Sequence, residues 1–585
     1  MKIRFWAGLA LLLPAATAPA TGDELWLREL VASHRLAELQ RPDFTDVGEQ
    51  VRAFYERRSY DRAWVRDGEA TKPAVALIQA LTLAGAKGLD AEDYDAARWA
   101  DRLSSLARTG PARPPKQPRN SRDASEASSV VRANSSRDRS SPDSTVARFD
   151  LALTVCTMRY ILDLHLGRAN PGVLRGSFDF GGESDLAAFV AHRLVNSNNV
   201  HDVLDSLEPP FESYRHTEAA LQKYLELAAA GPIAPFPATK KPVDPGSLYP
   251  AADELAGLLR KIGDLPPEAS VPSGIYGGPL VGAVKRFQGR HGLDPDGRIG
   301  NATVAALNVP LSRRVRQLQL TLERWRWAPH SFQRPPVVVN IPEFKLRALN
   351  GAYQTELEMK VVVGKAFHHQ TPVFSEDMKY VIFRPYWDVP SSIQRAEIVP
   401  KLEQDRSYLL ANHFEVVTAD DRVVSAGEID DRLMARLSSG ELRVRQVPGP
   451  ENSLGLVKFL FPNGFDVYLH GTPATELFLR SRRDFSHGCI RVEKPVELAE
   501  WVLRGQPEWT RERILEAMNG DRTIKVVLNR PIPVLIVYVT AVVLNSGEVR
   551  FFDDIYGEDV ALENLLTKRR QSAITSGERV PSPHE

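Results

Sequence analysis

With only two cysteines in 585 residues, the chain is too poor in thiols to be a disulfide-stapled scaffold. Net charge is missing as well, because 74 Lys+Arg balance 74 Asp+Glu. No global field therefore favours nucleic acid or an acidic membrane surface as a partner, and recognition must reside in a local site. Long apolar runs are also absent. Beyond the N-terminus the closest approach, Val534 to Leu544, falls well short of the ~20 residues that span a bilayer and reads as a buried strand. What the chain has is length, and 585 residues exceed what one core can organise, predicting three or four domains.

The first residues, MKIRFWAGLALLLPAATAPA, combine a basic start at Lys2 and Arg4, an apolar run to Leu13 and small residues at Ala16, Ala18 and Ala20. This is the pattern of an export signal spanning 1–20 and cut after Ala20; left uncut, it would act as a membrane anchor. Export would permit a disulfide, but Cys156 falls on the stripe Phe149, Leu153, Cys156, Tyr160, Leu164, the spacing of a buried helix face. There it serves as a small apolar side chain. Cys489 follows Ser-His-Gly in a polar setting and is the candidate reactive thiol.

Residues 21–233 read as a helical domain with aromatic anchors at Phe54, Tyr55 and Trp64, interrupted at 109–145 by a stretch of Pro, Ser, Arg, Asp and Asn expected to be a disordered insertion. A proline-rich linker is expected at 234–247. Residues 248–309 read as a compact three-helix unit around a Gly/Asp-rich turn, His291 to Gly300. From 330 to 530 the periodicity becomes alternating. Strands are expected at Val337 to Ile341, Phe344 to Leu349, Tyr353 to Val363, Lys379 to Trp387, Leu456 to Phe461 and Phe465 to His470, with a mixed insertion at 391–447 that reads as a lid. A helix is expected over Val496 to Leu503. Further strands, Pro533 to Leu544 and Glu548 to Phe552, joined through Asn545-Ser546-Gly547, fill 531–566 and are expected to pack back on the helical or the β-rich domain. A frayed tail is expected over 567–585.

Chemistry concentrates in His470 to Val492, HGTPATELFLRSRRDFSHGCIRV. A thiol attacks as thiolate, so Cys489 needs a base or a cation nearby. His487 is too close in sequence to present its ring well, whereas His470, at a strand end, is far enough upstream for the chain to return. Alternation places Tyr468 and His470 on one strand face. Gly488 lets backbone N–H groups approach an oxyanion, and Arg491 could hold a carboxylate or brace the turn. A zinc site from His470, His487 and Cys489 lacks a second cysteine or a tight ligand pair, and the adjacent His368 and His369 would face opposite ways on a strand.

Two resemblances follow. Val284, Phe287-Gln288, His291-Gly292-Leu293, Asp296-Gly297, Ile299-Gly300, Thr303 and Leu307-Asn308 resemble the three-helix peptidoglycan-binding domain of wall enzymes. His470-Gly471-Thr472, followed by Ser486-His487-Gly488-Cys489-Ile490-Arg491, resembles the signature of the L,D-transpeptidase (YkuD-type) catalytic domain. Val363-Gly364-Lys365, Thr371 to Phe374, Arg384 to Ile393, Pro448-Gly449-Pro450, Leu454-Gly455, Lys458-Phe459 and Asp553 to Gly557 agree with the large YcbB-like subgroup. The implied fold is multidomain α+β: a helical scaffold domain, a three-helix peptidoglycan-binding domain and a β-rich catalytic domain with a capping insertion.

The resemblance implies Cys489 as nucleophile, His470 as base, and the Gly471 carbonyl orienting the imidazole. Tyr468, Gly488 and the Cys489 amide would surround the oxyanion; Ser486, His487 and Arg491 would shape a groove along which Trp387 lies. The implied function is peptidoglycan 3–3 cross-linking in the periplasm through a Cys thioester with release of D-Ala. Tetrapeptide donor and diamino-acid acceptor stems would be the substrates. No metal or organic cofactor is required and no nucleic acid is involved; a penicillin-binding protein or carboxypeptidase could supply substrate. If water or a free D-amino acid took the acyl group, the same site would be an L,D-carboxypeptidase, exchange enzyme or hydrolase. If Cys489 were inert, the chain would be a wall-binding protein.

Overall fold

The computed structural model describes residues 22–109, 142–169, 185–366, 369–425 and 429–578. The expected export signal and most of the expected insertion lie outside these residues. At the insertion's edges the expectation is corrected, since a helix runs through Thr109 and the next begins at Pro142. That second helix, Pro142–Leu166, carries the expected stripe, yet Leu151, Val155, Met158 and Ile161 are buried as well as Leu153 and Cys156. A helix apolar all round must be surrounded. Helices Gly22–Ser33, Gly48–Arg57, Lys72–Thr82 and Trp99–Thr109 pack against it. A two-strand ribbon, β1 (Val65–Arg66) and β2 (Glu69–Ala70), closes one side.

Three helices, Ala252–Lys261, Pro279–Arg290 and Asn301–Leu307, enclose Leu255, Leu259, Leu280, Val284 and Phe287. Their turn is wound around the Gln288 amide, which accepts from Gly297 N (2.8 Å) and donates to the Arg298 carbonyl (2.9 Å). The preceding segment, expected as a linker, is strapped to this unit. Phe236 is buried in its core, and Asn308 bonds the Phe236 N–H and carbonyl at 2.7 and 2.8 Å.

The β-rich region closes on itself. Strands β3 (Val337–Asn340), β4 (Lys345–Leu349), β5 (Thr355–Gly364), β6 (Phe374–Phe383), β11 (Val457–Leu460), β12 (Leu469–His470), β13 (Asp484–Ser486), β14 (Ile490–Val492) and β15 (Ile524–Val537) form one sheet. Its order is β13-β5-β14-β12-β11-β6-β15-β3-β4, and a further β4–β5 pairing shuts the barrel. Alternation puts Val337, Val339, Leu346, Val381, Val457, Phe459 and Ile490 into one core, joined by Leu498 and Val502 of the helix Pro495–Leu503.

Three strand expectations are corrected, and the first is Pro533 to Leu544, which is divided into β15, ending at Val537, and a separate strand, Ala541–Val543. Only Leu469–His470 of the expected Phe465 to His470 strand is extended. The Asn463 side chain accepts from Phe465 N and Val467 N and donates to the Phe461 and Val467 carbonyls, turning the segment into a loop with Asp466 at φ 55. The expected Lys379 to Trp387 strand ends at Phe383, and Trp387 instead opens a second sheet.

That second sheet, with its helices, makes up the insertion expected as a lid, and is called the lid below. Strands β7 (Trp387–Asp388), β8 (Phe414–Val417), β9 (Val423–Ser425) and β10 (Arg443–Gln446) run in the order β7-β10-β8-β9, with Leu402, Leu409, Val416, Leu437 and Val444 as a separate core. Asn452 pins its base, donating to the Pro385 carbonyl at 3.3 Å and the Val447 carbonyl at 2.9 Å. The C-terminal region serves two bodies: β15 is a barrel strand, whereas the hairpin β16 (Ala541–Val543) and β17 (Val549–Phe551) packs on the helices Glu212–Ala229 and Leu311–Trp325. The tail expected to fray at 567 stays helical to Glu578. Leu562 and Leu566 are buried, and Arg570 pairs with Asp90 and Asp93.

Candidate active site

Beside the parallel pair β12–β14, Tyr468, His470, Ser486, His487, Gly488, Cys489, Arg491 and Trp387 line one cavity of about 1050 Å³. The pairing explains the convergence: His470 sits opposite Arg491 and, across the other edge, opposite Lys458 of β11. Tyr468 and Cys489 come just before these strands, and the loops that carry them enter the same cavity. The Tyr468 and His470 rings lie 5.7 Å apart.

His470 is buried, and its Nδ1–H donates to the Gly471 carbonyl at 2.5 Å. A carbonyl can only accept, so Nδ1 carries the proton and Nε2 keeps its lone pair in the neutral ring. Burial, with the charges of Arg491 and Lys458, pushes this imidazole down to about 3, against hydrogen bonding to the Gly471 and Leu454 backbone. Burial raises the Cys489 thiol, opposed by hydrogen bonding from Tyr468 and by the Lys458 charge. The thiol donates to the Asp466 carbonyl at 3.5 Å rather than to His470. At rest the two groups therefore form a neutral pair.

The loop before the sulfur is fixed from below. Gly488 has φ 116, a conformation that excludes a side chain at low cost. Its N–H donates to Ser486 Oγ (3.1 Å), whose hydroxyl donates to the Cys489 carbonyl (2.6 Å). The Gly488 amide is thus engaged by Ser486 within the loop itself. The Gly488 carbonyl accepts from Thr371 Oγ1 (2.7 Å), which in turn accepts from Gly364 N (2.9 Å). The Tyr556 hydroxyl donates to the Gly364 carbonyl at 2.6 Å, tying the C-terminal segment to the same loop.

His487 faces the lid. Its Nε2 lies 2.5 Å from Glu397 Oε1, and the His369 ring packs edge-on at 4.8 Å; His368 lies outside the described residues. The Arg491 guanidinium lines the cavity, its Nε buried without a protein hydrogen bond. Trp387 stands along the cavity with Phe414 at 6.1 Å. Sequence reasoning gave no role to Glu397, Thr371, Asp466 or Lys458. Thr371, Lys458 and Tyr556 fell inside quoted motifs, but nothing local marks what each touches.

Residues 335–514 match the model of the YkuD L,D-transpeptidase catalytic domain, 49–221 match a scaffold domain, and 250–307 match a domain provisionally described as peptidoglycan binding. A Haemophilus influenzae protein provisionally named an L,D-transpeptidase is 32% identical over 223 residues, a stretch covering 38% of this chain and 44% of that protein. The match thus spans less than half of the relative. A crystal structure of the L,D-transpeptidase from Xylanimonas cellulosilytica is similar at 15% identity, with 52% of this chain and 100% of that one covered and a TM-score of 0.16. The chain carries an L,D-transpeptidase catalytic domain of the YkuD family, set behind a helical scaffold domain and a peptidoglycan-binding domain.

Proposed function

We propose that the protein forms 3–3 cross-links between peptidoglycan stems through a thioester at Cys489. The observation that carries this reading is the His470 tautomer: Nδ1–H is spent on the Gly471 carbonyl, which leaves Nε2 as an acceptor in the cavity that holds the sulfur. Nε2 takes the thiol proton as the sulfur attacks the carbonyl of the diamino acid at the third stem position. Because burial keeps the imidazole neutral, this proton moves with the attack and not before it. In this reading the Tyr468 hydroxyl and the Cys489 N–H donate to the oxyanion, while Ser486 and Gly488 hold the loop. The Sγ–C bond forms, the C–N bond breaks, and the imidazolium returns its proton to the leaving D-Ala amine. A second stem's side-chain amine then attacks the thioester, delivers a proton to His470 and frees Cys489.

Two features favour transfer over hydrolysis. The cavity, about 1050 Å³, stands at the top of the ~300–1000 Å³ range of small-ligand sites, in keeping with a site that takes more than a water beside the donor. The lid tied down through Glu397 shields the thioester from water. Arg491 and Trp387 line the path the stems would follow. Action on peptidoglycan places the protein in the cell-wall compartment. The pattern of residues 1–20 would deliver it to the periplasm by export. Among the described residues no helix is long and apolar enough to cross a membrane.

Intact-mass analysis with defined tetrapeptide stems tests the reading. The expected result is an adduct on Cys489 lacking the terminal D-Ala, followed by dimers. Cys489→Ala should give neither, and dimers from that variant would refute the mechanism. Release of D-Ala without dimers would make water the acceptor.

A further inference from the structure

Lys458 has no role in the mechanism so far, yet it borders the nucleophile. It sits on β11 in register with His470, and its Nζ lies 3.7 Å from the centroid of the Tyr468 ring. That phenol lines the same cavity as Cys489. The side chain is half-buried and lines the cavity wall next to Tyr468, Asp466 and Cys489. Among the described residues no carboxylate comes within ion-pair distance of Nζ. A partly desolvated ammonium with three donors and no bound acid is costly to keep. Here its charge faces a sulfur that must become an anion.

The groups facing that sulfur can be assigned by element. Lys458 comes from β11, Asp466 and Tyr468 from the loop after it, His470 from β12, and Arg491 from β14, with Asp388 of β7 acting on Lys458 from the lid side. In many cysteine sites the cation that holds the thiolate is the protonated histidine. His470 is badly placed for that work, enclosed by protein and flanked by two other cations, Arg491 and Lys458.

We propose that Lys458 is a positioning residue that supplies the charge holding Cys489 as thiolate at the moment of attack, leaving His470 to carry the proton alone. This rests on the reading of Cys489 as the nucleophile. The balance is simple: the Sγ proton goes to His470 Nε2, the sulfur lone pair forms the Sγ–C bond, and Lys458 stays protonated throughout. The Tyr468 ring holds the ammonium by cation–π attraction on the cavity wall that Cys489 shares.

The test is the pH dependence of Cys489 alkylation by iodoacetamide, a neutral probe, read by mass on the full chain. It needs no stem peptide. Cys156 is fully buried and serves as the unreactive reference. Lys458→Met should move the alkylation midpoint up by about one to two pH units, a loss of roughly 10- to 100-fold in rate at pH 7.5. Lys458→Arg keeps a cation that stacks on rings and should restore the rate to within about threefold. Thermal melting confirms that each variant is folded, and Lys458→Gln replaces the Met variant if that one does not fold. A wild-type profile in a folded Lys458→Met or Lys458→Gln protein would overturn the proposal. So would Lys458→Arg behaving like Lys458→Met, because charge would then not be the cause. Whether the wild type forms a thioester with tetrapeptide is measured separately, so failure of the nucleophile reading and failure of the lysine's role are told apart.

Discussion

His487 Nε2 and Glu397 Oε1, 2.5 Å apart, join the strip that carries Cys489 to the helical segment Gln394–Ile398 of the lid. Both side chains are partly open to solvent, at 26% and 40%, so the pair is worth only ~0.5–1 kcal/mol. That suffices for a latch meant to open. Glu397→Ala should raise amide exchange across residues 391–404 roughly two- to fivefold, with the barrel strands unchanged. Exchange mass spectrometry reads this directly, and an unaltered lid would show that the contact does not hold it.

Thr371 has a larger effect in prospect. Its one hydroxyl serves both Gly364 N–H and the Gly488 carbonyl in a buried position, so Thr371→Val strands a donor and an acceptor. The expected loss is ~2–4 kcal/mol in urea unfolding, together with acylation at least tenfold slower. Thr371→Ser keeps the hydroxyl and should recover most of both. A Val variant that acylates at the wild-type rate would mean that the Gly488 loop holds its shape unaided.

Cys489 and His470, the proposed nucleophile and base, stood out in the sequence because cysteine and histidine are rare and their chemistry restricts their surroundings, and the structure brings both to one cavity. Lys458 and Glu397 did not stand out. They are ordinary charges, and only the sheet register and the lid's return bring them to the site. The Phe465 to His470 segment alternates like a strand, but Asn463 captures its backbone groups and alternation alone cannot reveal that. The first half of β15 was missed because the expected strand began only at Pro533. The strand starts at Ile524, and its ladder with β6 carries the prolines by shifting register between Val527 and Ile532. The barrel's closure came from pairings of β4 and β5 that no local pattern encodes.

His330 offers a pH test away from the site. Burial, with His165 at 4.4 Å between ring centroids, pushes it from an ordinary 6.5 down to about 4. The unfolded chain takes up this proton first. Stability from the neutral ring is therefore complete above pH 6.5 and is lost as pH falls toward 4, by up to ~3 kcal/mol. Other groups titrate in the same window, so the comparison is with His330→Gln. The melting-temperature difference between variant and wild type should move in the variant's favour from pH 7 to pH 4. A difference independent of pH would remove His330 from the acid response.

Arg290 decides how the three-helix unit sits on the rest. It makes three hydrogen bonds to the Asp264 carboxylate, at 2.5 to 2.9 Å, and donates from another nitrogen to the Val549 carbonyl of β17 at 3.0 Å. Asp264→Ala would leave a buried guanidinium without its acid, at ~3–5 kcal/mol. Replacing both partners with apolar residues, Asp264→Leu with Arg290→Met, removes the charges together and should recover most of that loss. Recovery should stop ~1 kcal/mol short, because the Val549 carbonyl still lacks its donor. The urea midpoints of the single and double variants check this. A double variant no more stable than Asp264→Ala would mean that the contact with β17, and not the ion pair, holds the unit in place.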